Sequence, residues 1–170
     1  FLVWSAASSS GEEAYSIAMV LADALGDDGP WKVIGTDLST AMVDAGRRAL
    51  YPVERARMVP KPFLQRYCLK GQGEFEGQLL IARELRAHVQ FLQANLMQPL
   101  PKLPMFDLIF LRNVLIYFDD DAKAQIVRRV LGQLKPDGAL YTGHAESLST
   151  LQLPLRTVAN AIHAHAQARA

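Results

Sequence analysis

The side chains best equipped for chemistry lie where apolar runs end. Residues 4–16 read "WSAASSSGEEAYS", with small residues from Ala6 onward, a single glycine at Gly11 and two adjacent carboxylates, Glu12 and Glu13. A loop of small residues lets a ligand approach the backbone closely, and amides at a helix start attract anions. Two carboxylates at the same place would repel a phosphate, and the loop has only one of the glycines of a GxGxxG turn. Read alone, Glu12 and Glu13 fit equally well as first-turn acids favoured by the helix dipole. Asp37 closes "WKVIGTD" at about the interval where a ribose-binding acid is expected. Its other reading is a cap before "LSTAM". The single cysteine, Cys68, has no thiol partner, and no GxSxG elbow, Cys-His pair or metal-ligand spacing is present. His163 and His165 share one face of a possible terminal strand, where solvated side chains are the expectation.

These groups need elements to hold them. Residues 1–7 are a continuous apolar run suited to a strand buried on both faces, followed by helical spacing at Ala14, Ile17, Ala18, Leu21, Ala22 and Leu25. "WKVIGTD" and "LSTAMVDAGRRALY" repeat strand and helix, with Ser39 or Thr40 as N-cap. Prolines at 52, 60 and 62 and glycine-rich turns then break the alternation, so an inserted hairpin-like β-subdomain is expected at about 68–90, returning to the main sheet at 89–96. A buried strand at 106–113 follows, then a helix running to Lys135-Pro136-Asp137-Gly138 with Gly138 as its left-handed cap, then a strand at 139–144 and a terminal strand within 158–166. Alternating units of this kind predict an α/β fold with a mostly parallel sheet.

The chain has 170 residues, 50% of them hydrophobic, enough for one domain with its own core. A net charge of +1 gives no whole-chain field for nucleic acid or anionic membrane, and no apolar run suits a membrane span. A lone thiol fits a reducing, cytoplasmic setting, and a monomer is the default expectation. Because the chain opens directly on a strand-like run, the natural protein is expected to continue upstream.

A carboxylate at the tip of strand two, and acids where a pyrophosphate would sit, favour adenosine joined to a cationic group. S-adenosylmethionine (SAM) has that chemistry. The quoted first turn, "TDLS", "RYCLKGQGEFEGQLLIARELRAHVQFLQANLM", "FDLIFLRNVLIYF" and "LKPDGALYTGHAES" together resemble the CheR family of chemotaxis receptor glutamate methyltransferases, in order from about Val3 to Leu148. The resemblance implies a Rossmann-like class I SAM-dependent methyltransferase with a small antiparallel β-subdomain inserted. It also implies methyl transfer to glutamate carboxylates of chemoreceptors, leaving S-adenosylhomocysteine (SAH).

Position by position, the resemblance implies cofactor contacts at Ala6, Gly11, Glu12, Asp37, Asn95, Leu96, Arg112 and Asn113, with Tyr117 and Arg112 beside the reacting atoms. Glu12 would meet the methionine part, Asp37 the ribose, and Asn95-Leu96 the adenine. His144 resembles a histidine that follows strand five, without an assigned role. The family's helical N-terminal domain is absent from this chain, so a SAM-binding but catalytically incomplete module is the alternative. Ser10 stands where threonine is common, and Ala145 where a hydroxyl residue commonly follows the histidine. Lys70, Arg83 and Arg86 could help dock acidic receptor helices, against a solvated surface as the plain alternative. An NAD-dependent dehydrogenase is opposed by the two carboxylates and missing glycines. A methyltransferase of nucleobases or glutamine amides is opposed by "RNVLIYF" in place of Asn-Pro-Pro-aromatic.

Overall fold

A computed structural model describes residues 1–166. The chain alternates strand and helix from the start: β1 (Leu2–Ala6), α1 (Glu12–Leu25), β2 (Lys32–Asp37) and α2 (Thr40–Arg48). Ser39 caps α2, its hydroxyl accepting from the Met42 amide, and Arg47 and Arg48 sit in the last turn where the dipole favours cations. The middle third carries β3 (Leu50–Pro52), α3 (Lys61–Tyr67), β4 (Cys68–Lys70), β5 (Gln78–Ile81) and α4 (Arg83–Arg86), and β6 (Val89–Gln93) then rejoins the main sheet. There follow β7 (Phe106–Leu111), α5 (Asp120–Leu131), β8 (Leu134–Thr142), β9 (Leu155–Ala159) and β10 (Ile162–His165).

The main sheet has the order β6-β2-β1-β7-β8-β10-β9. Its first five strands pair in parallel, whereas β10 runs antiparallel to both neighbours. The chain builds outward from β1 through β2 to β6, then crosses to β7 on the other side of β1. This reversal puts the switch point at the carboxyl ends of β1 and β7, where open α/β sheets bind ligands. Each face carries its own core. Val3, Tyr15, Ala18, Trp31, Val33 and Phe91 belong to one; Trp4, Ile34, Ile109, Val127 and Leu140 to the other. Neighbours Val3 and Trp4, or Val33 and Ile34, point to opposite faces, which explains why both strands read as unbroken apolar runs.

Three segments depart from the sequence reading. The small sheet, order β3-β5-β4, begins at Leu50, before the expected 68–90 span, because Leu50, Tyr51 and Pro52 pair with Leu80, Leu79 and Gln78. Proline-flanked and three residues long, β3 has too little pattern to be seen locally. The helix expected to reach Gly138 stops at Leu131, and β8 starts at Leu134. Residues 135–138 form an irregular step in β8, since Phe106 pairs with Leu134 but Leu108 with Ala139. Pro136 is tolerated at such a bulge. Gly138 is required there by space: a Cβ would lie 2.7 Å from Leu134 Cδ1 and 2.8 Å from the Asp107 carbonyl oxygen.

The third departure is His163, which is buried in the β9-β10 hairpin instead of solvated. Its Nε2 lies 3.3 Å from Thr142 Oγ1, and its Nδ1 lies 3.3 Å from Thr157 Oγ1. His165 Nε2 donates to the Leu134 carbonyl at 3.1 Å. The two histidines therefore fasten the hairpin to β8, which neither spacing nor composition reveals.

One ring sets tolerances around β2. With alanine in place of Gly11, Gly35 or Gly46, a Cβ would come within 2.7–2.8 Å of the Phe91 ring. An alanine inside a helix normally gains about 1 kcal/mol over glycine. Here Gly46→Ala is expected to destabilise the fold by about 1–3 kcal/mol, because the overpacking outweighs propensity; a denaturation midpoint that rises instead would show that the Phe91 ring yields. A second expectation concerns pH. Burial holds the His163 imidazole below its ordinary pKa of 6.5, so the unfolded chain takes up its proton first. The stability associated with neutral His163 is present above that value and lost as pH falls through it. Melting temperature should drop between about pH 7.5 and 5.5, and His163→Gln should flatten that part of the profile.

Candidate functional site

Most residues assigned to the site sit on a strand end or in the turn after it, at the carboxyl edge of the sheet, while Glu12 opens α1 and Tyr117 ends a short 3-10 turn beyond β7. The first turn is tightly constrained: Ala7, Ser9 and Gly11 all have positive φ, at 60°, 50° and 99°. Gly11 is needed twice, for that φ and because a Cβ would meet Phe91 Cζ at 2.7 Å and the Tyr51 hydroxyl at 2.9 Å. The Ser8 amide donates to the Thr36 carbonyl at 2.7 Å, and the Tyr51 hydroxyl donates to the Ser10 carbonyl at 2.7 Å. Burial raises the Tyr51 phenol far above its ordinary pKa, so it remains a donor. The inserted segment thus holds the turn through β3.

Asp37 ends β2 and ties two turns together. Its Oδ2 accepts from the Ser9 amide and its Oδ1 from the Ser39 amide, both at 2.9 Å. A carboxylate has about four lone-pair sites, so each oxygen keeps one for a ligand. Beside it opens a cleft lined by Ala7, Asp37, Leu38, Asn95, Leu96, Val114 and Phe118. Asn95 Oδ1 accepts from the Met97 amide at 2.9 Å. One lone pair of its side-chain carbonyl is used in that turn, and it still offers a ligand its two amide N–H donors and one acceptor site. The Leu96 carbonyl accepts from Arg129 of α5, which fixes the far wall. The cleft is mostly apolar and includes one side-chain amide and, at Asp37, a carboxylate with spare acceptors, groups of the kind that adenine joined to a ribose diol calls for.

The two first-turn acids are both engaged. Glu12 Oε2 accepts from the Ser10 hydroxyl at 2.6 Å, and Oε1 pairs with Arg55, carried by the short turn after β3. Glu13 joins three elements: its Oε1 accepts from the Ser5 hydroxyl of β1 at 2.7 Å and its Oε2 from Arg112, just past β7, at 3.1 Å. Its role as a first-turn acid is therefore secondary to a contact that no local pattern shows, because Arg112 lies 99 residues away in sequence. Each carboxylate is matched by a guanidinium, Glu12 by Arg55 and Glu13 by Arg112, so a cationic amino-acid end would have to displace Arg55 to reach Glu12.

The expected residues do not form one tight cluster. Asp37, Asn95 and Leu96 share the cleft. Glu12 borders a separate hollow between α1 and the inserted segment, with Tyr51, Arg55 and Val59. Ala6 is wholly buried in the core, and Ala7 takes the lining position instead. Arg112 is held by Glu13, and Asn113 adopts a left-handed φ of 57°. Tyr117, in a short 3-10 turn over Leu115–Tyr117, is 78% exposed, directly before the cleft residue Phe118.

A residue that the sequence reading does not single out is Glu146, which is buried and accepts hydrogen bonds from the amides of Gly143, Asn113, Val114 and Leu115 at 2.7–2.8 Å. Its signal lies in "GHAES", two residues beyond His144, which is exposed. Lys70 and Arg83 are exposed on different elements, whereas Arg86 lies against Tyr15 beside β6 and is only partly exposed. Cys68 is half-buried, and burial pushes its thiol pKa up. Among the described residues no group of three or more His, Cys, Asp and Glu could hold a metal, and no helix is long and apolar enough to cross a membrane.

Comparison with known proteins identifies the family and the fold. The family model for the CheR methyltransferase SAM-binding domain matches residues 1–163. A chemotaxis protein methyltransferase of Salmonella typhimurium is 44% identical over 153 residues, covering 89% of this chain and 53% of that protein. Chemotaxis protein methyltransferase 2 of Pseudomonas aeruginosa is 37% identical over 166 residues, covering 96% and 59%. The chain thus spans little more than half the length of these relatives. Among solved structures, the glycopeptide N-methyltransferase MtfA in complex with sinefungin superposes with a TM-score of 0.54 at 15% identity, covering 92% of this chain and 49% of that one, a likeness of fold. A class I methyltransferase sheet, a first turn and Asp37 suited to an adenosyl ligand, and these matches lead to one assignment: the chain belongs to the CheR methyltransferase family, as its SAM-binding domain.

Proposed function

We propose that this chain is the cofactor-binding part of a chemotaxis methyltransferase that esterifies glutamate side chains of chemoreceptors in the cytoplasm. The observation that carries the reading is Asp37: anchored by two amides, it keeps spare acceptors in a mostly apolar cleft. In this reading Asp37 takes the ribose hydroxyls and Ala7, Leu38, Leu96, Val114 and Phe118 enclose the base. Asn95 donates at its edge. Glu12 faces the ammonium of the amino-acid end, in competition with Arg55. The backbone around Ala6, Gly11 and Asn113 gives close approach, and Arg112 keeps the β7 end beside α1.

SAM, when bound, supplies a methyl group on a sulfonium, an electrophile that an ionised carboxylate can attack directly. A glutamate is already ionised near neutral pH, so the chain need provide no general base. Its residues have to orient and exclude water, effects that can contribute up to about 7–11 kcal/mol in well-aligned cases. Tyr117, exposed and next in the chain to the cleft residue Phe118, would meet the incoming side chain. Lys70 and Arg83 offer positive charge to acidic receptor helices.

The direct test is transfer of labelled methyl groups by the full-length protein to a chemoreceptor cytoplasmic domain, with release of label by mild base as expected for a carboxyl ester. SAH binding without any transfer would favour a SAM-binding interaction module instead. Asp37→Ala should weaken SAH binding in a calorimetric titration by about 1.5–3 kcal/mol, the loss of hydrogen bonds to a charged acceptor; unchanged affinity would remove Asp37 from the site. Tyr117→Phe should leave SAH affinity unchanged and lower turnover, and equal rates would take Tyr117 out of the reacting region.

A further inference from the structure

The geometry points to Glu146 as a positioning residue for the cofactor side of the β7 end, an assignment that rests on the SAM-site reading above. Its Oε1 accepts from Val114 N at 2.8 Å and Leu115 N at 2.7 Å; its Oε2 accepts from Asn113 N and Gly143 N, both at 2.8 Å. Four donors fill the lone-pair sites of one carboxylate. Glu146 therefore has no acceptor left for a ligand, and any effect on binding must pass through the turn it holds. A buried charge with this degree of compensation is stable, whereas one with a donor removed is costly.

What it holds is the part of the chain that must be shaped for the site. The β7 strand ends at Leu111, and the chain turns through Asn113 in the left-handed region, a conformation that a non-glycine residue keeps only when its surroundings enforce it. Val114 lines the cleft, Leu115 is anchored in the core, and Tyr117 ends the same short turn. Glu146 binds the amides of Asn113, Val114 and Leu115 in succession, and so works as a remote cap on the short 3-10 turn that carries Tyr117. The fit is close. A Cβ on Gly143 would come 2.5 Å from Glu146 Oε2 and 3.0 Å from Asn113 Oδ1. A glutamine at 146 could accept along one edge only, and its NH2 would face two N–H donors.

The test compares SAH titrations of the full-length protein carrying Glu146→Gln with those of Leu134→Ala, a core truncation at the opposite end of β8 that lowers the melting temperature without touching the site. Asp37→Ala serves as the direct-contact reference. Glu146→Gln is expected to weaken SAH binding about tenfold or more, as misplacement of a binding turn does; Leu134→Ala, at a comparable loss of melting temperature, should keep wild-type affinity. If Glu146→Gln binds SAH as tightly as Leu134→Ala does, its role is stability alone and the assignment falls, while a loss in Asp37→Ala would still uphold the site. If Glu146→Gln does not fold, Gly143→Ala, which crowds the carboxylate without removing it, is read the same way: weakened SAH binding supports the assignment and wild-type affinity overturns it. Failure of the unaltered protein to bind SAH would overturn both the site reading and this inference.

Discussion

A parallel sheet leaves its backbone N–H groups without partners where the chain turns away from the carboxyl edge, and each such group left unsatisfied in a buried turn costs about 1–3 kcal/mol. This chain meets that constraint largely with carboxylates. Asp37 takes the amides of Ser9 and Ser39, and Glu146 takes four amides from two segments. Glu13 adds a side-chain clasp between β1, α1 and the residue after β7. Of these carboxylates only Asp37 keeps acceptors free for a ligand, since Glu146 is buried with its lone pairs filled and Glu13 is matched by Arg112. Asp37 thus both holds the turns and faces the cleft.

The inserted segment contributes to that edge directly. It leaves the sheet after α2, where β3 lies against the first turn, and returns at the amino end of β6, beside the start of β2. Tyr51 from β3 holds the Ser10 carbonyl, and Arg55 pairs with Glu12. The ion pair is partly exposed and contributes little by itself, but the phenol is buried and rigid. Phe91 on the edge strand completes the arrangement, its ring lodged against Gly11, Gly35 and Gly46. Movement of the small sheet relative to the main one would thus be felt at the turn that faces the cofactor.

Much of this is legible locally. The run from Phe1 to Ala7, the small-residue turn and the apolar spacing of α1 specify strand, turn and helix within a window of about one element, and Ser39 announces the start of α2 by its type. Asp37 stands out by its position at a strand end, Asn95 and Leu96 only through the family resemblance, and the three share a cleft. Local pattern misleads in the stretch from Leu131 to Gly138, where helical composition runs on past the helix and Pro136 sits inside a strand. It misleads at His163 for a similar reason, since burial there comes from β8 and β9 packing around the ring.

The amino-acid sequence by itself determined most elements of the main sheet, the parallel architecture they require and the family to which the chain is similar, because these depend on residue periodicity and on motifs read in order. The tertiary structure alone decided which partner each charged group found. Glu13 and Arg112 are 99 residues apart, and Glu146 reaches amides more than 30 residues upstream. A hydrogen bond acts over about 3 Å, and no spacing rule in one dimension says which distant residues folding will bring within that range.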